Sequence, residues 1–165
     1  MIKATGILSR PLNALRQMVA ESTAFQQWVR VESAAAALPR VHLFTAPKGA
    51  ELPFALIDFG SFARERDRLT NKRAFQMRPG SDLLLYFRAA AQIETEDQEA
   101  SIDYCNKLGA IWLDMELNAG RYEDETFAAT EIEIINPPQR ITSEDRKRAG
   151  DFFESTLSLT MSRIP

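Results

Sequence analysis

The residues of this chain that could do chemistry are few. There is one histidine, His42, inside the strand-like "RVHLF", and one cysteine, Cys105. A general base must titrate near neutrality, which makes His42 the first residue to weigh. Its ordinary reading is a strand histidine with a satisfied hydrogen bond or a wet edge, and that reading outweighs a catalytic one. One histidine and one cysteine do not make a zinc cluster, and HExxH, a glycine-rich phosphate loop and GxSxG are all missing from the sequence. Carboxylates are plentiful but grouped, as "ETEDQE" and "YEDET". Acids in a first helical turn favour the positive end of the helix dipole, which accounts for the first group. The second reads as a solvated loop before a strand. A calcium loop alternates oxygen donors around a glycine, and neither stretch does so. The expectation is therefore no catalytic residue, no metal and no cofactor: not an enzyme.

The bulk numbers are those of an ordinary globular protein that folds by burial. At 165 residues, 45% hydrophobic and 26% charged, the chain has the composition of one globular domain over residues 1–165. Cys105 has no partner for an internal disulfide, which fits a reducing compartment. The opening "MIKATGILSRPLNALRQMVA" meets arginine and proline too early for a signal peptide, and no run approaches the ~18 apolar residues of a membrane span. The expected setting is cytosolic, without a membrane.

The elements that must position any site follow from hydrophobic period. "SRPLNALRQMVAES" predicts an amphipathic helix, with Ser9 as cap, Pro11 in the first turn, and Leu8, Leu12, Leu15 and Val19 on one face. "STAFQQWVR" predicts a second short helix, capped by Ser22 or Thr23, with Phe25, Trp28 and Val29 inward. "ESAAAALP" either extends it or loops, since alanine favours helix and Pro39 stops it. From Arg40 the signal changes to strands, in "RVHLFT", "PFALIDFGSF" and "SDLLLYFRAA". A long helix is predicted from about Glu96 to Asn118, with Ile102, Cys105, Leu108, Trp112 and Met115 recurring every three or four residues and Gly120 placed to end it. Two more strands follow: "ETFAATEIEIINPP", stopped by Pro137 and Pro138, and "DFFESTLSLTMSRI", where Phe153, Leu157, Leu159 and Met161 alternate with polar neighbours. Helix, strands, helix, strands is the order of an α+β domain with a mainly antiparallel β-sheet, a long central helix and an N-terminal helix packed on it. Adjacent Phe152 and Phe153 face opposite sides of a strand, so one of the pair is a candidate interface aromatic.

One stretch stands apart. "ARERDRLTNKRAFQMRPG", Ala63 to Gly80, carries six basic and two acidic residues in a chain of formal net charge −3. The segment is thus +6 − 2 = +4 and the rest of the chain −3 − 4 = −7. Alternation puts Arg64, Arg66 and Arg68 on one strand face and Glu65 and Asp67 on the other; "RAFQMR" returns as a second strand, with Arg73, Phe75 and Met77 opposite Ala74, Gln76 and Arg78. "LTNK" supplies the turn, with Lys72 at its end, and Pro79-Gly80 breaks the returning strand. The stretch predicts a projecting β-hairpin arm over 62–80. Alone, such a ribbon buries too little to be stable, so a partner must order it. An acidic body with a basic arm suits a second copy of itself. Nucleic-acid binding is the rival, because arginines on a ribbon can track phosphates; Glu65, Asp67 and an isoelectric point near 5.3 oppose it. A solvated, partnerless hairpin is the third possibility.

The chain resembles the tail-terminator, or tail-completion, proteins of tailed bacteriophages, a group that includes minor tail and head–tail joining proteins. The similarity lies in the helical opening "LNALRQMVAESTAFQQWV", the strand "LPFALIDFGSFARERDR", the strand "SDLLLYFRAA" with the helix "ASIDYCNKLGAIWLDMEL", and the closing "FAATEIEIINPPQRITSEDRKRAGDFFESTLSLTMSR". It is a pattern of elements covering most of the chain rather than an invariant signature. The resemblance implies a structural virion protein, assembled in the bacterial host cytoplasm and resident in the tail. Such proteins form a ring, typically a hexamer, at the head-proximal end of the tail tube, where they end tube polymerisation and offer a surface for head joining. The implied partners are the chain itself, the tail tube protein, a head–tail connector or neck protein, and DNA in transient passage through the lumen. The candidate contacts to a neighbouring subunit or the tube are those of the arm, Arg64, Arg66, Arg68, Lys72, Arg73, Phe75 and Arg78. Six +4 arms facing the lumen would add ~24 positive charges where phosphates must slide, so the arm's charge is expected to meet a neighbouring subunit or the tube. The alternatives are a nucleic-acid-associated module using the same arm, or another neck or tail-tube protein.

Overall fold

A computed structural model describes residues 9–59, 81–90, 98–122, 127–141 and 152–163. Helix α1 spans Ser9–Glu21 and α2 spans Thr23–Trp28. Ser22 separates them. Its extended backbone stops α1, and its hydroxyl accepts the Phe25 N–H at 3.1 Å, so one residue closes the first helix and caps the second. Ser33 repeats the device for the one-turn helix α3, Ala34–Ala37, accepting from the Ala36 N–H at 3.2 Å. A 3-10 turn over Leu38–Arg40, forced by Pro39, then feeds strand β1, Val41–Leu43.

Strands β2, Phe54–Phe59, and β3, Ser81–Ala90, precede the long helix α4, Gln98–Asn118. The helix gives way to a 3-10 turn over Ala119–Tyr122, so Gly120 lies within that turn rather than just beyond a clean end. Strands β4, Phe127–Ile141, and β5, Phe152–Arg163, complete a five-stranded sheet in the order β1-β2-β3-β5-β4. β4 does not stop at Pro137-Pro138. The two prolines sit where its register with β5 slips between Asn136 and Gln139, which is how an edge strand accommodates residues that cannot donate to the ladder.

The expected sheet needs correcting. β1 and β2 run parallel, in register Val41 to Ala55 and Leu43 to Ile57, so the sheet is mixed. β2–β3, β3–β5 and β4–β5 are the antiparallel pairs. The ten residues 44–53 carry the chain back to the same end of the sheet, with φ of 63° at Phe44 and 81° at Gly49 and a cis Leu52–Pro53 bond. Apolar period reports which residues share a face but not the direction in which the strand runs. Nor are the helices accessory to a β platform: among the described residues they supply most of the core. Leu12, Leu15, Met18 and Val19 of α1, Phe25 and Trp28 of α2, and Tyr104, Leu108, Ile111 and Met115 of α4 are buried against Ala55, Ile57, Phe153, Leu157 and Leu159 of the sheet. Phe54 and Leu56 are also buried, yet lie outside that cluster, on the other face by alternation.

The hairpin expected over 62–80 lies outside the described residues.

Candidate interaction surfaces

Arg64, Arg66, Arg68, Lys72, Arg73, Phe75 and Arg78 fall with the arm outside the described residues, so the structure bears on the body they leave and return to. Of the two candidate interface aromatics, Phe153 is a core residue. It is 6% exposed, and its ring lies 5.0 Å from that of Tyr104, which in turn meets Trp28 edge-on at 5.5 Å. These two ring contacts join α2, α4 and β5 through Tyr104. Burial pushes the Tyr104 phenol well above its ordinary range, with the Glu154 carboxylate adding to the effect, so it is neutral at any physiological pH. Phe152 pairs its backbone with Ala90 and Ile141.

His42 stands on β1 opposite Leu56, half-buried, with its ring edge-on to Phe54 at 5.4 Å. Its charged neighbours are cations. Burial lowers its pKa first, and Arg16 and Arg40 lower it further. Arg16 is fixed by donating to the Val41 carbonyl at 3.1 Å and the Leu38 carbonyl at 3.2 Å; Arg40 donates to the Glu51 carbonyl at 2.8 Å and pairs with its carboxylate. Among the described residues, the charged groups that act on His42 are these two arginines, and its ring packs on Phe54.

Two contacts hold α4 in place. The Asp114 carboxylate accepts from the Ser22 hydroxyl at 2.8 Å and from the Ala24 N–H at 3.0 Å, which sets a negative charge on the first turn of α2. On the other side, Trp112 Nε1 donates to the Ile132 carbonyl at 2.9 Å, tying the helix to edge strand β4. Sequence reasoning missed Asp114. Its position four residues before Asn118, on a helix already rich in acids, does not separate it from the solvated carboxylates.

So clamped, α4 turns Tyr104, Leu108, Ile111 and Met115 to the core, a face rotated from the expected one. Cys105 is exposed and Ile102 is 60% exposed, not inward. With Leu113 at 54% and Leu117 at 75%, Ile102 forms an outward apolar stripe. Ile102, Asn106, Gly109, Leu113 and Leu117 follow a helical spacing of three and four, so the row is apolar at its two ends, with the polar Asn106 and the small Gly109 between them. Glu99 and Asp103 border it on one side and Glu116 on the other; Asp103 is bridged by Lys107 one turn on. Among the described residues no three His, Cys, Asp or Glu side chains group as a metal site, and no helix is long and apolar enough to cross a membrane.

Compared with known proteins, the chain matches no family model and no curated protein.

Proposed function

We propose that this protein is a non-enzymatic assembly protein of a bacteriophage tail, which closes into a ring on the end of the tail tube, ends tube growth and presents the surface for head joining. The observation that carries the reading is the outward stripe of α4. A helix pinned on two sides by Asp114 and Trp112 nevertheless leaves Ile102, Leu113 and Leu117 in water, and apolar rows on a rigid element mark contact surfaces more often than accidents. The charge division supports it: a +4 segment and a −7 remainder are complementary between copies. The ring, its hexameric count and its place on a tail tube come from the sequence resemblance.

The test is the mass of the full chain in solution across a range of concentration and salt, beside Arg64→Glu, Arg66→Glu and Arg73→Glu combined in one chain. A closed oligomer that salt weakens and the reversals dissolve is expected. Addition of the assembled protein to polymerising tail tubes should then cap their length. A strict monomer that neither associates nor caps tubes, or retention of short DNA at physiological salt that the reversals abolish, would replace this reading with the free-hairpin or nucleic-acid one.

A further inference from the structure

We propose that the outward face of α4 is the seat for the basic segment Ala63–Gly80 of a second copy of this chain. The inference rests on the self-assembly reading and adds its contact. Three features of the face fit that occupant.

The first is charge. The outward side of α4 carries Glu99, Asp103 and Glu116 against Lys107, a sum of −3 + 1 = −2, whereas Ala63–Gly80 sums to +6 − 2 = +4. Asp114 is committed inward to Ser22 and Ala24, so the outward acids are Glu99, Asp103 and Glu116, placed on both margins of the stripe. The second is pattern. Apolar positions with acidic borders ask for apolar positions with basic borders, and the segment offers Phe75 and Met77, two residues apart, among Lys72, Arg73 and Arg78. The third is length. From Ile102 to Leu117 the helix rises ~22 Å at 1.5 Å per residue, and seven extended residues, the length of Arg73–Pro79, span ~23 Å.

A second copy is favoured over the chain's own segment by where the ends lie. The segment leaves after Phe59 and returns before Ser81, both in the sheet layer, where Phe59 pairs with Leu83. The stripe faces away from that layer, with the ~10 Å thickness of the helix in between. A chain docking on itself must go round its own helix; a neighbour's segment meets the face directly.

Cys105, the sole cysteine, is exposed beside the stripe and provides the probe. Ordinary and nitrogen-15-labelled full-length chains, each carrying a benzophenone maleimide on Cys105, are mixed before assembly, irradiated, digested and read by mass spectrometry. The expected result is cross-links from the α4 peptide to residues 63–80, with light–heavy pairs making up roughly half, the random value for a contact between equally mixed copies. Leu113→Lys with Leu117→Lys, both at exposed positions, should lower the yield at least ~10-fold with unchanged helix content and melting. Glu99→Arg with Glu116→Arg should also lower it, and Arg64→Glu with Arg73→Glu in the same chain should restore it. Cross-links confined to light–light and heavy–heavy pairs, or landing elsewhere on a neighbour, overturn this contact while leaving self-assembly standing. A monomeric mass with no inter-chain product overturns both.

Discussion

Removing the Asp114 carboxylate tests whether α4 is placed by the turn between α1 and α2. Asp114 accepts two hydrogen bonds, from Ser22 Oγ at 2.8 Å and from the Ala24 N–H at 3.0 Å. A bond to a charged acceptor contributes about 1.5–3 kcal/mol. Asp114 is half-buried, so water can take over part of each, and Asp114→Ala should cost ~2–3 kcal/mol in all. Ser22→Ala loses its cap on the Phe25 N–H, worth ~1 kcal/mol, and the same bond to Asp114, for a total of ~2 kcal/mol. Because that bond is counted in both single variants, the double variant should fall short of their sum by ~1 kcal/mol. Urea unfolding of the four proteins gives the cycle, with m unchanged as the control. For a chain of this length Asp114→Ala should melt ~5–10 °C lower, and Asp114→Asn, which keeps one acceptor oxygen, should fall between. Additivity of the two single variants within ~0.3 kcal/mol would refute the shared bond, and with it the account of how α4 is held.

Three further outcomes are expected. Trp112→Phe keeps the ring but loses the donor to the Ile132 carbonyl, so it should cost ~1 kcal/mol and lower the melting temperature by ~2–4 °C; no change in melting would mean that the bond to β4 is absent in solution. Phe153→Ala removes a core ring against Tyr104 and should cost ~3–5 kcal/mol; a variant that melts normally but fails to assemble would return Phe153 to the interface. His42 has a lowered pKa in the folded chain, so below its ordinary value of 6.5 the unfolded chain binds the proton first. Stability from this group is complete above about pH 6.5 and declines as pH falls through the folded value, by at most ~1.4 kcal/mol per pH unit. His42→Gln should flatten that acid-side decline in melts from pH 5 to 8, and an unaltered pH profile would contradict the lowering of the His42 pKa by burial and, after it, by Arg16 and Arg40.

Much of the local structure was legible because it depends on neighbours in sequence. Leu12, Leu15 and Val19, three to four residues apart, do form the buried side of α1, and of the two candidate caps of α2, Ser22 and Thr23, it is Ser22 that caps. Phe25, Trp28 and Val29 are inward as their spacing requires. Helix α4 shows where this legibility stops. Its sequence holds two apolar stripes, one through Tyr104, Leu108, Ile111 and Met115 and one through Ile102, Leu113 and Leu117, and a count of periodic residues weights them alike. Reading Ile102 and Cys105 as inward mixed the two. The choice is made by partners distant in the chain: Trp28 and Phe153 close on Tyr104, Asp114 reaches Ser22, and Trp112 reaches Ile132.

The sequence by itself determined the buried side of α1, the inward residues of α2, the approximate places of β1, β2, β3, α4 and β5, and the separation of charge between residues 63–80 and the rest of the chain, since each follows from residue type and short-range spacing. The tertiary structure decided the parallel run of β1 against β2, the passage of β4 through its prolines, the burial of Phe153 and the face that α4 turns outward. Those outcomes share one physical cause. Each depends on pairings between residues far apart in the chain, where a backbone ladder or a packed ring selects one of several arrangements that local periodicity leaves equal.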